Sequence, residues 1–213
     1  MKKQMFAGLI ALVATAGIAQ AGTITGSIWV NQPGGAVNAI PANIPATPPD
    51  VTFSTSAINF STFEGAGNYT LGGFLNSFNP ATVFTGAALL PSIANDTFWV
   101  FQGTVGVTNG QGFNVAHDDG LTFLINGATV VGVPGPTAPV VTPFTYTGPT
   151  GTFPFLLVYG ECCGAPAKLF LDLPNLVGGP VPGQEVPLPG AAWLMGTVLA
   201  GAGFGAWRRR RKA

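Results

Sequence analysis

The sequence is short of charge. Only 8% of its 213 residues are Asp, Glu, Lys or Arg, eight of each sign, and it has one histidine and two cysteines. The cations are also unevenly placed. Lys2 and Lys3 stand at the start, Arg208, Arg209, Arg210, Arg211 and Lys212 at the end, and Lys168 alone lies between. All eight acids (Asp50, Glu64, Asp96, Asp118, Asp119, Glu161, Asp172 and Glu185) fall in that middle stretch, which therefore carries a net charge of seven negative. A lone cation cannot meet the several phosphates that nucleic acid presents, so no nucleic-acid partner is expected. Acid with little base suits divalent cations instead.

Other absences narrow the class further. One histidine and a single pair of cysteines do not make a four-ligand zinc site. No apolar pattern of 3.6-residue period is sustained, which argues against a helical domain, and no internal repeat is visible. No Ser, Cys or Asp constellation at catalytic spacing accompanies His117, so the chain is expected not to be an enzyme. His117 reads as a strand-end histidine bonded to a neighbour. Asp118 and Asp119 do not fit a glycosidase pair, whose carboxylates stand ~5 to 9.5 Å apart across the bond they cut.

Both ends of the chain carry apolar runs. Met1-Lys2-Lys3, an apolar stretch from Met5 to Ile18 and the small-x-small site Ala19-Gln20-Ala21 read as a signal peptide, residues 1–21, cleaved before Gly22. At the other end Val186-Pro187-Leu188-Pro189 precedes an 18-residue apolar run, Gly190 to Trp207, and then the basic cluster Arg208 to Lys212. That run is long enough for one transmembrane helix, and the cationic end should stay cytoplasmic. Residues 177–185, with Gly-Gly-Pro-Val-Pro-Gly within them, read as a spacer.

The tail 186–213 resembles the carboxy-terminal sorting signal of the PEP-CTERM proteins, in a Val-Pro-Leu-Pro variant. The resemblance implies an exosortase as partner and bacteria that make exopolysaccharide. It also implies a precursor anchored in the inner membrane, later held at the cell envelope or surface or released outside.

Residues 22–176 are expected to be all-β, a sandwich or jelly-roll-like ectodomain. Phe98 to Val105, Gly112 to His117, Leu121 to Ile125, Ala128 to Val133, Phe153 to Tyr159 and Ala167 to Leu173 read as strands, rich in β-branched and aromatic residues. Asn126-Gly127 between two of them is a hairpin signal. Gly135-Pro136 and Gly148-Pro149 mark turns. The Pro-rich stretch from Asn38 to Asp50 reads as a loop wrapping the sandwich.

Chemistry concentrates in two segments. His117-Asp118-Asp119-Gly120 sits between two strands, and adjacent carboxylates repel unless a counter-ion joins them. Oxygen ligands favour a hard cation such as calcium; the plain alternative is a solvated hairpin turn without metal. The second segment is Glu161-Cys162-Cys163-Gly164-Ala165. For adjacent cysteines in an oxidising compartment a disulfide between Cys162 and Cys163 ranks first, with an intermolecular bridge or two thiols as alternatives.

Together the pattern Phe-x-Val-x-His-Asp-Asp-Gly-Leu-x-Phe-x-Ile-x-Gly, then Gly-x-Phe-x-Phe-x-Leu-x-Tyr-x-Glu and Gly-x-x-Ala-x-Leu, is similar to the protective-antigen-type domain. That resemblance implies a lectin-like β-sandwich. It further implies that a cis-linked Asp118-Asp119 pair holds calcium, that the calcium holds sugar hydroxyls, and that the Glu161–Gly164 loop contributes to the ligand site.

Two functions follow: an exported surface or matrix protein that binds polysaccharide through calcium, or a structural envelope or biofilm-matrix protein with no small ligand. Either way, intact-mass analysis of protein from the native host should show a chain that ends near Pro189. Native protein still carrying Arg208 to Lys212 would count against exosortase processing.

Overall fold

The structure, a computed structural model, describes residues 23–62, 69–173 and 176–177. The expected signal peptide, the spacer beyond Val177 and the whole sorting tail lie outside them. Among the described residues no helix is long and apolar enough to cross a membrane.

The described residues form twelve strands: β1 Ile24–Trp29, β2 Val51–Thr55, β3 Asn59–Ser61, β4 Thr82–Thr85, β5 Thr97–Val107, β6 Gly112–Asp118, β7 Leu121–Ile125, β8 Ala128–Val133, β9 Val140–Thr145, β10 Gly151–Glu161, β11 Lys168–Leu171 and β12 Leu176–Val177. Two short helices accompany them, α1 Pro33–Ala36 and α2 Leu71–Leu75. The larger sheet runs β4-β2-β1-β5-β10-β7-β8, with β12 also paired to β5. The smaller runs β3-β11-β6-β9. The expected all-β sandwich is what forms.

All six strands read from the sequence are present. The Asn126-Gly127 hairpin joins β7 to β8 with both turn residues at positive φ, as a tight two-residue turn requires. The two longest strands, β5 and β10, pair over their whole length in the centre of the larger sheet. Their halves nearest Thr97 and Glu161 are buried on both faces, which is why Phe98-Trp99-Val100-Phe101 reads as a continuous apolar run rather than an alternation. One face packs into the space between the sheets. The other is covered by the segment between β1 and β2, where Ala39 and Ile44 pack with Trp29, Phe98, Val100 and Val158. The Trp29 indole donates to the Thr47 carbonyl at 2.8 Å. The Pro-rich stretch therefore does wrap the sandwich, as a lid on the outer face.

Three connections pass from one sheet to the other at the same end of the sandwich: β6 to β7, β8 to β9 and β10 to β11. The Asp118-Asp119-Gly120 turn is the first of these. It is therefore not the hairpin of the plain alternative, because β6 and β7 lie in different sheets. A Cβ at Gly120 would stand 2.2 Å from the Pro134 carbonyl oxygen, so this corner closes against the second connection only with glycine.

Aromatic rings fill the space between the sheets. Phe53 meets Phe60, Trp99 and Phe101 edge to face at centroid distances of 6.5, 6.2 and 5.6 Å. Its ring lies over Gly26, its cross-strand partner, where an added Cβ would stand 2.0 Å from the Phe53 Cζ. Gly26→Ala should therefore force the ring out of its place and lower stability by roughly 1–3 kcal/mol. Urea denaturation with an unchanged midpoint would contradict this packing.

Candidate functional site

The three crossover connections enclose a cavity of about 350 Å³. Asp118 and Asp119 come from the first connection, Pro136, Thr137, Ala138 and Pro139 from the second, and Cys162 to Pro166 from the third. The site is thus a product of topology, with each wall a chain reversal between sheets.

Asp119 ties the walls together. Its Oδ1 accepts the Thr137 backbone N–H at 3.0 Å and its Oδ2 accepts that of Cys162 at 2.8 Å. Its own carbonyl lies 2.6 Å from His117 Nδ1. A carbonyl only accepts, so Nδ1 carries the proton, and Nε2 then accepts the Thr142 hydroxyl at 2.9 Å. Burial holds the His117 pKa below its usual value, in keeping with a neutral ring. The expectation of a strand-end histidine bonded to its neighbours is met.

The peptide bond joining Asp118 to Asp119 is cis, as the family resemblance implies. Both side chains are nearly buried, at 5% and 4% exposure. Burial, with the Asp119 charge beside it, pushes Asp118 up to about 6. Burial also raises Asp119, against the pull of the two N–H donors and His117. A cation beside both would favour their ionised forms.

Cys162 and Cys163 are bonded to each other. Cys162 is buried and Cys163 exposed, with its φ at 66°. Asp119 and the two sulfurs lie within 4.8 Å of one another, but bonded sulfurs are not thiolate ligands. The donors left are carboxylate oxygens, the ligand type of hard cations such as calcium.

The Glu161 side chain is placed apart from the rest of its loop. Glu161 belongs to the third connection's root, yet its side chain is fully buried and takes no part in the cavity lining. Its Oε1 accepts the Tyr69 hydroxyl at 2.7 Å. Its Oε2 meets the Tyr159 hydroxyl, which also meets the Asp118 carbonyl. Tyr159 has one proton for these two contacts, and the carbonyl can only accept. The hydroxyl proton therefore goes to Asp118, and Glu161 must supply its own proton to the Tyr159 oxygen. Burial pushes Glu161 up to about 9, with the charges of Asp119 and Asp118 adding to it and the tyrosine hydroxyls opposing.

Of the site residues expected from sequence, Asp118, Asp119, Cys162, Cys163 and Gly164 come together at one cavity. Glu161 instead stands behind it, bonded to the backbone of the Asp turn through Tyr159. The Pro136–Pro139 wall and Tyr159 were not foreseen as site residues. Pro136 carried only a turn signal, and Tyr159 read only as a strand residue.

No protein-family model matches the sequence, and no curated protein does. Solved structures do share the fold. The PA14 sugar-binding domain from an RTX adhesin superposes with a TM-score of 0.55 at 20% identity, over 75% of this chain and 100% of that one. The PA14 domain of the antifreeze protein MpAFP superposes with a TM-score of 0.51 at 21% identity, over 79% of this chain and 92% of that one. At such identities the likeness is one of fold. It is the fold of the protective-antigen-type sandwich that the sequence resembles.

The proton on Glu161 makes stability depend on pH. The folded state keeps it to about pH 9, while the unfolded chain releases it near 4.5. The stabilisation is therefore full below 4.5 and declines as pH rises toward 9, by at most about 1.4 kcal/mol per pH unit for one proton. Glu161→Gln offers an amide where the protonated acid stood. In chelator, this variant should match the parent near pH 4 and flatten the loss of melting temperature between pH 5 and 9. An equal slope in both proteins would show that Glu161 is not the group responsible.

Proposed function

We propose that this chain is an exported, exosortase-sorted protein of the cell surface or extracellular matrix, whose sandwich binds carbohydrate through calcium and is not an enzyme. The observation that carries the ligand reading is the pair of nearly buried adjacent carboxylates, Asp118 and Asp119, at a cavity walled by three crossovers. The fold is shared with a sugar-binding PA14 domain, which supports the reading. The sorting half rests on the tail motif Val186 to Pro189, the apolar run and the basic cluster.

In this reading Asp118 and Asp119 hold the ion, and a bound calcium supplies open coordination positions for vicinal hydroxyls of a sugar. The rest of the work falls to the chain itself. Thr137 and Cys162 keep Asp119 aimed through their backbone N–H groups. Tyr159 fixes the Asp118 carbonyl. The bonded cysteines and the prolines give the cavity apolar walls against which a sugar ring can lie. The two carboxylates share one turn, so neither stands across a scissile bond from the other, and no hydrolysis is assigned to them.

The test is calcium-dependent stability and binding. Metal bound only by the native state adds about 1.4 kcal/mol for each tenfold excess over the dissociation constant, and an affinity of ~10⁻⁴ to 10⁻³ M is expected for an extracellular module. Millimolar calcium should raise the melting temperature of the parent, and Asp118→Asn should abolish most of that increment. Asp119→Asn is the less clean replacement, because its amide would face one of the two backbone N–H groups. Calorimetry without calcium binding at millimolar concentration would sink the ligand reading and leave a structural matrix protein.

A further inference from the structure

Lys168 is the single cation between Lys3 and Arg208, and the fold pairs it with Asp118, a residue that lines this cavity. On β11, Leu169 and Leu171 point into the core, so Lys168 and Phe170 point outward, and Phe170 is 36% exposed. Lys168 is the cross-strand partner of Asp118. Paired residues share a face, with Cβ atoms about 4.5–5.5 Å apart. Two residues earlier on the same chain, Pro166 lines the cavity with Asp118.

We propose that Lys168 makes the site selective for acidic sugars, hexuronates in particular. The inference rests on the calcium–carbohydrate reading and names its substrate class. The charges decide it. A dication held by Asp118 and Asp119 is balanced by those two carboxylates, and the Lys168 ammonium then stands beside the ligand with its charge unmatched. A neutral sugar leaves it so. A sugar that carries a carboxylate supplies the missing charge, and the partly covered position of Lys168 spares that pair some of the screening of open solvent.

The experiment titrates the full-length chain in detergent, in millimolar calcium, with glucuronate and with glucose, which differ only in the oxidation of C6. The parent should bind glucuronate roughly five- to tenfold more tightly, and the preference should fall as sodium chloride is raised. Lys168→Met should bring the ratio to about one with glucose affinity unchanged, and Lys168→Arg should keep the preference. Equal binding of the two sugars by the parent, or a ratio that survives Lys168→Met, overturns the proposal while leaving the calcium–carbohydrate reading in place. So does a Lys168→Met variant altered only in calcium affinity, which would make Lys168 a companion of Asp118 and nothing more. Calcium binding with no response to either sugar removes both readings together.

Discussion

The carboxylate of Asp119 is the constraint on which the cavity depends. It links all three connections between the sheets through side-chain hydrogen bonds, beside the close contact of Gly120 with Pro134. Each of its oxygens takes a backbone N–H from a different connection, and its carbonyl takes the His117 ring. Hydrogen bonds to a charged acceptor are worth about 1.5–3 kcal/mol each, enough to help hold the three loops together. The side chain offered to a cation therefore also holds the cage around it in place before any ligand arrives. Such preorganisation lowers the ordering that binding must otherwise impose.

A second layer lies behind the first. Asp118 and Asp119 crowd together under the Tyr159 hydroxyl, and a third acid, Glu161, sits deeper still. Three ionised carboxylates in so small a volume would repel strongly. The arrangement resolves this by keeping the innermost one neutral, as a proton donor in a chain from Tyr69 through Glu161 and Tyr159 to the Asp118 carbonyl. The aromatic rings that surround this chain exclude water and supply the burial that keeps the proton in place. Phe74 stacks on Tyr159 at 6.1 Å and Trp99 stands at 6.3 Å from it.

Much of the fold was legible because its strands announce themselves locally. Phe98 to Phe101 and Leu121 to Ile125 carry apolar β-branched and aromatic runs, and Asn126-Gly127 fixes a turn type. The short strands β3 and β4 were not legible. Asn59-Phe60-Ser61 has one buried ring and little else, and β4 is an exposed edge whose pairing with β2 decides its conformation. The site divides in the same way. Asp118-Asp119 and Cys162-Cys163 stand out as adjacent pairs of unusual residues. The Thr137 N–H does not, since every residue but proline has one and only the sheet-to-sheet path brings this one to Asp119. The Glu161 side chain is the complementary case. It opens a candidate ligand loop in the sequence, and strand alternation turns its carboxyl toward the core, beside Tyr159.

The strand β12 has a consequence for how this domain is carried. Val177 lies opposite Thr104 on β5, and Thr25 of β1 lies opposite Gln102 on the same strand. The body of the domain thus begins and finishes side by side, on one line along one neighbour. The cavity lies at the other extremity of β5, past Thr97, about 23 Å away at ~3.3 Å per residue. A unit whose two connections emerge together can be set into a longer chain, or hung from a single point, without distorting its sheets. Hung in that way, it turns its cavity outward, away from whatever holds it.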